Sequence, residues 1–234
     1  MPFLPLRSVP LPSATATVYD AWLGWIAERL EDGATDRNQL CRDVLTQLYF
    51  PALASTPPDA LPAGARIALD QLDPRNVTLE PEYYADIDAE RFAHVKPLLW
   101  MWEMFDKSVA GENVHLGVKF RRIIARHVFR RCGRNFKCFQ FVKFSFGYNM
   151  EVGDDVVVHR SVFLDDRGGI ILGNKVSIAD YANVYSHTHA LAVATKTIAP
   201  GEVALGIPAQ PKLHKPSPEE RPQHPRTRDP LADE

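Results

Sequence analysis

A period of six constrains this chain more than any other feature of its sequence. Aliphatic side chains recur at Val152, Val158 and Leu164 and, after two extra residues at Gly168-Gly169, at Leu172, Ile178 and Val184. Two positions before the later anchors stand Val156, Val162, Val176 and Ala182, with Thr188 continuing the series. An α-helix turns once in about 3.6 residues and would scatter such side chains round its axis, so the stretch is not helical. A parallel β-helix fits it. Each hexapeptide is a short strand plus a turn, three of them close one triangular coil, and the periodic positions point inward to stack in columns. The plain alternative is a Val-rich two-layer sheet, and such sheets rarely hold a fixed period over so many turns.

The chain has 234 residues, room for one large or two small domains with a real core. The pattern ahead of the repeats is helical. Val18, Trp22, Ile26 and Leu30 form one apolar stripe, and a second helix is expected from Asp36, where Asp36 and Gln39 have capping-box spacing, to Pro51. A Pro/Ala-rich linker follows at residues 51–65, then an acidic, Tyr-containing stretch at 80–90. Further helices are expected near 98–109 and 117–131. Their apolar faces need partners, and the nearest are one another and the open end of the β-helix. The resulting division is an irregular N-terminus (1–12), a helical region (13–132), a β-helix (133–210), and a tail (211–234) whose Pro, charge and His content predicts disorder.

The formal net charge of −2 gives no hint of a nucleic-acid partner. Between Asn113 and Met150, however, there is no acid, while Lys119, Arg121, Arg122, Arg126, Arg130, Arg131, Arg134, Lys137 and Lys143 are basic. Such a run can hold an anion, but its commoner use is a solvated helix face, here paired with the acidic residues of 80–90. The aromatics that follow (Phe136, Phe139, Phe141, Phe144, Phe146) nearly alternate with polar residues, as in strand packing rather than base stacking. Cys41, Cys132 and Cys138 are an odd set without zinc spacing, which suits free thiols in a reducing cytoplasm. The N-terminus is broken by prolines and makes a poor signal peptide. The longest apolar run, near 97–105, contains Glu103 and is too short to span a bilayer, so no integral membrane association is expected.

Three segments together, FKCFQFVKFSFGYNMEVGDD, VFLDDRGGIILGNKVSIADYANVYSHTHAL and TKTIAPGEVALGIPA, resemble the hexapeptide-repeat acyltransferases, most closely their maltose and galactoside O-acetyltransferase branch. The resemblance covers roughly residues 133–210. It implies a left-handed parallel β-helix, a homotrimer with active sites between subunits, an acyl-coenzyme A donor (acetyl-CoA in the simplest case) and a small hydroxyl acceptor such as a sugar. No metal is expected. By the same resemblance His189 is the general base, a task suited to imidazole with its ordinary pKa of about 6.5. Asp166, the second acid of Asp165-Asp166, is the acceptor-binding candidate, and His187, facing the same way as His189, a second substrate-binding one. No residue is assigned to the donor.

Two departures from that family stand out. Val158-His159-Arg160 occupies the place where the branch carries asparagines, and only residues 190–194 separate His189 from Thr195-Lys196, where the family continues for further coils. Counted at about eighteen residues per coil, residues 146–189 supply some two and a half turns. Either the helices cap a very short β-helix, or the chain is a shortened member of the family. Two other function classes follow: a non-catalytic trimeric scaffold, and a zinc hydratase of the γ carbonic anhydrase type using His159, His187 and His189, whose spacing does not match that family's ligands.

Overall fold

Residues twenty apart in sequence lie side by side. A computed structural model describes residues 9–54, 56–57 and 60–187, with the backbone of three strands beyond them. Its C-terminal half winds through three sheets in turn: β1 (Arg131–Cys132), β2 (Lys137–Cys138), β3 (Lys143–Phe144), β4 (Met150–Val152), β5 (Val157–Val158), β6 (Phe163–Asp165), β7 (Ile170–Leu172), β8 (Ser177–Ile178), β9 (Asn183–Tyr185) and β10 (Lys196–Ile198). The sheet orders are β1-β4-β7-β10, β2-β5-β8 and β3-β6-β9, all parallel. The registers Cys132↔Val152↔Leu172, Cys138↔Val158↔Ile178 and Phe144↔Leu164↔Val184 set one coil at twenty residues, not eighteen. Two sides of the triangle take six residues. The third takes eight, and Gly168-Gly169 is one instance of that longer corner.

The six hexapeptide anchors and Val156, Val162 and Val176 are all buried, while Ala182 is half-buried. Beneath them lies a coil that the aliphatic period did not mark. Cys132, Phe136, Cys138, Val142 and Phe144 occupy the same columns one coil earlier. Among the described residues the stack therefore has three full coils, beginning at Arg131, with β10 above them. Its corners are tight: Asn135, Asp155 and Lys175 in one column, and Phe141, Ser161 and Tyr181 in another, all have positive φ, at about 1–2 kcal/mol each. At the first corner the coils approach so closely that a Cβ on Gly133 would stand 2.3 Å from the carbonyl carbon of Gly153.

Among the described residues six α-helices precede the coils: α1 (Ser13–Glu31), α2 (Arg37–Tyr49), α3 (Ala63–Asp70), α4 (Ala89–Asp106), α5 (Val109–Glu112) and α6 (Val114–Val128). In α1 the buried face is Leu23, Ile26 and Leu30, and Val18 of the expected stripe is exposed. Asp36 does cap α2, accepting from Asn38 N, but Gln39 reaches Asp43 instead of closing a capping box. Part of α3 falls in the segment read as linker, and α4 starts at Ala89 rather than near 98 because Asp88 accepts from Arg91 N. Asn113 caps α6 in the same way through Leu116 N.

Helices α4 and α6 close the open end of the solenoid. The rings of Trp102 and Phe129 meet Phe144 edge-on at 5.3 and 5.0 Å, and Phe129 also meets Phe136 at 5.7 Å. The outward carbonyls of the first coil receive donors from the same helices: Arg122 Nε to Phe136 O (2.7 Å), Arg121 to Cys138 O (3.3 Å) and Trp102 Nε1 to Val142 O (3.1 Å). Asp106 completes the seal by pairing with Arg121 and accepting from Phe141 N at 2.7 Å. The basic run is thus not one solvated face. Arg121 and Arg122 are buried, and Lys119, Arg130, Arg134 and Lys143 pair with Asp20, Glu151, Asp154 and Glu103 rather than with the acids of 80–90.

Beyond the coils, β11 (Glu202–Leu205) and β12 (Gln210–His214) form an antiparallel hairpin, so strand structure runs past the point where an irregular tail was expected. His189 and Thr188 lie outside the described residues, as do 215–234. Among the described residues no helix is long and apolar enough to cross a membrane. Because Asp106 and Arg121 are 3% and 1% exposed, Asp106→Ala strands a buried guanidinium and should cost about 3–5 kcal/mol. Urea unfolding measures this, and a loss below about 1 kcal/mol would show that the seal contributes little.

Candidate functional site

Polar side chains gather at the long third corner, where the coil leaves its six-residue rhythm. The column at the end of the third sheet reads Ser145, Asp165, Tyr185, and the next two read Phe146, Asp166, Ser186 and Gly147, Arg167, His187. Glycine is required at Gly147 (φ 74°), where a Cβ would also sit 2.4 Å from Val128 Cγ1.

Asp165 is the hub. Its Oδ1 accepts from Ser145 Oγ at 2.8 Å and from Arg167 N at 3.4 Å, and its Oδ2 lies 2.8 Å from His187 Nδ1. Ser186 ties the two coils beside it, donating to Asp165 O at 2.6 Å and accepting from Gly168 N at 2.9 Å. The carboxylate is 6% exposed and the imidazole 17%. The two atoms are at ion-pair distance but outside hydrogen-bond geometry, and a small rotation that turned the acid onto Nδ1 would select the tautomer with its proton there and leave Nε2 able to take a proton from a ligand.

Asp166, the expected acceptor-binding acid, is turned inward. It is fully buried, and it accepts from Phe146 N at 2.8 Å and Asn149 N at 3.1 Å in the coil below. The extra two residues of the corner fold this side chain inward to cap a turn, so an acceptor hydroxyl meets no open carboxylate there. Burial pushes its carboxyl above the ordinary carboxylate value, against the pull of the amides of Phe146, Gly147 and Asn149. The acid presented to a histidine is its neighbour, Asp165.

The helical half contributes as well. The turn Glu80–Tyr83 and the residues up to Asp88 lie against this corner. Arg167 stacks over the Tyr84 ring at 4.3 Å, and Tyr84 donates to the Glu80 carboxylate, the bond that chiefly pushes its phenol up to about 12. Arg91 donates to Tyr148 O at 2.7 Å, and Tyr148 Oη accepts from Asp88 N at 3.1 Å. A cavity of ≈380 Å³ shares Arg91 and Tyr148 with this corner and is also lined by His94, His127, Phe129 and Arg130. Burial is the main cause that holds both of its histidines below the ordinary imidazole value.

Two of the candidate zinc ligands leave different sheets, and the third, His189, lies outside the described residues. His159 leaves the second sheet and stacks on Phe139 at 5.2 Å, whereas His187 leaves the third. Ser145, Arg167, Tyr84 and Asp86 were not singled out in the sequence. The twenty-residue offset of Ser145 from Asp165 was a signal for the first, and nothing local marked the others.

Among the solved structures that resemble part of the chain is a maltose O-acetyltransferase from Clostridium difficile 630, at 20% identity and a TM-score of 0.29, over 58% of this chain and 92% of that one. No protein-family model and no curated protein matches the sequence.

The raised position of Asp166 sets the sign of a pH effect. Its contribution to stability is fully present below the unfolded carboxyl value, about 3.9, and is lost as pH rises through the folded value. Urea unfolding between about pH 3 and 7 should show the parent losing stability relative to Asp166→Asn across that window. Parallel curves would mean that the carboxyl is not raised.

Proposed function

We propose that this chain is an acyltransferase that moves an acyl group, acetyl in the simplest case, from acyl-coenzyme A to a hydroxyl of a sugar or similar small acceptor. The observation that carries the reading is the 2.8 Å approach of Asp165 Oδ2 to His187 Nδ1 on a fixed corner of the coil. The resemblance of residues 133–210 to hexapeptide-repeat acyltransferases supplies the donor class. In this mechanism His187 Nε2 removes the acceptor's hydroxyl proton as that oxygen attacks the thioester carbonyl. Asp165 stabilises the imidazolium that results, and collapse of the tetrahedral intermediate expels the thiolate, which takes the proton back. A homotrimer belongs to the same proposal, with Tyr181 (65% exposed) and Tyr185 (42% exposed) as apolar surface for a neighbouring subunit to cover.

The sequence resemblance puts the base at His189, two residues on and outside the described residues, and the contact with Asp165 supports His187 as the alternative. Alanine variants separate them. In an assay of thiol release from acetyl-coenzyme A with a panel of sugars, His187→Ala should lower turnover by about two to four orders of magnitude without changing the far-UV spectrum. A loss confined to His189→Ala would return the base to His189.

A second reading, a trimeric scaffold without activity, draws on how soon the stack ends. After His187 the chain rejoins the first sheet at Lys196, paired with Ile170, and the described residues lay β10, with β11 beside β8, above the third coil. That is a short surface for a pantetheine arm. Absence of thiol release from the parent chain across the panel would select this reading.

A further inference from the structure

The guanidinium of Arg167 stands between two carboxylates that belong to different halves of the chain. Its Nε lies 3.8 Å from Asp165 Oδ1, on the coil, and 3.8 Å from Asp86 Oδ2, on the segment leading into α4. That nitrogen is buried and makes no hydrogen bond among the described residues. Stacking on Tyr84 fixes the plane of the group, and Tyr84 is itself held by Glu80. A buried donor left unbonded is costly, and a shift of about 1 Å toward either acid would satisfy it with a charge-assisted bond.

The two alternatives differ in what they do to His187. Asp165 Oδ1 already accepts from Ser145 Oγ and Arg167 N. A further bond from the guanidinium would draw the carboxylate toward Arg167 and lengthen the 2.8 Å approach of Oδ2 to Nδ1. Asp86, 55% exposed where Asp165 is 6% exposed, pulls the guanidinium the other way. We propose that Arg167 is a positioning residue for the His187 base, acting through Asp165, and that Asp86 on the helical half sets how much of Asp165 it engages. This deepens the acyltransferase reading and rests on it for any effect on turnover. The geometry of Asp86, Arg167, Asp165 and His187 is independent of that reading.

The experiment uses the full chain labelled with ¹⁵N-histidine, the ring signals of His187 being assigned by their loss in His187→Gln. In the parent, the neutral ring should carry its proton on Nδ1. Asp86→Asn, at an exposed site that leaves the fold intact, should release Arg167 toward Asp165, lower the Nδ1–H share, and reduce kcat about fivefold with KM within about twofold of the parent. In an Arg167→Gln background the same Asp86→Asn change should do nothing, because the group that transmits it is gone. His187 signals unaltered by Asp86→Asn, or altered equally with and without Arg167, would overturn the proposal. If the parent releases no thiol, the acyltransferase reading fails, and the tautomer measurements alone decide the role of Arg167.

Discussion

The buried pair of Asp106 and Arg121 is what allows three coils to stand as a structure. A parallel solenoid ends in strand edges whose carbonyls and amides have no further coil to pair with, and a buried edge must find partners elsewhere. Here α4 brings Asp106 to Phe141 N, and α6 brings Arg121 to the carbonyls of Cys138 and Gly111. The acid and the base then satisfy each other, so neither charge is buried alone. Helices and coils share one apolar cluster running from Leu23 to Val184. The helical half is the end-cap that a short stack requires, and no larger count of coils is needed to explain its burial.

The same junction builds the candidate site. The segment from Glu80 to the first turn of α4 lies over the long corner through Tyr84, Asp86 and Arg91, while the coil itself presents Asp165 and His187. Precision comes from the stacked strands, whose register leaves Ser145, Asp165 and Tyr185 little freedom along the column. Adjustability comes from the overlying segment, which is tied down by side chains rather than by ladder hydrogen bonds.

The inner columns at Val152, Val158, Leu164, Leu172, Ile178 and Val184 were legible in the sequence because only one backbone path keeps a period of six on one side. The first coil was marked only by the family resemblance from residue 133 and by the near alternation of its aromatics, since Phe136 and Phe144, which meet Phe129 and Trp102, and the two cysteines Cys132 and Cys138 depart from the aliphatic rule. The choice of Asp166 over Asp165 rests on the family resemblance, and strand alternation could not have checked it. In-and-out alternation tells which residue faces a ligand only while the strand continues, and at a corner two residues longer it no longer holds. Helix starts at Asp36, Asp88 and Asn113 rest on one hydrogen bond each. Of these only Asp36 had been read as a cap, because a single polar residue before a helix is weak punctuation without the periodicity behind it. Arg167 and Asp86 lie 81 positions apart in the chain, and no local pattern joins residues across that distance.

A coil of twenty residues also gives this half of the molecule a unit of length. Removing or duplicating one whole coil, cut at any point along it, would return every remaining side chain to its own column and every corner to its own shape. A change of six residues would keep the inward columns for a short way but would carry the long corner onto a different side of the triangle, separating Asp165 from the segment that covers it. Length variation in such a chain is therefore quantised by the corner and not by the hexapeptide, and the site travels with the corner.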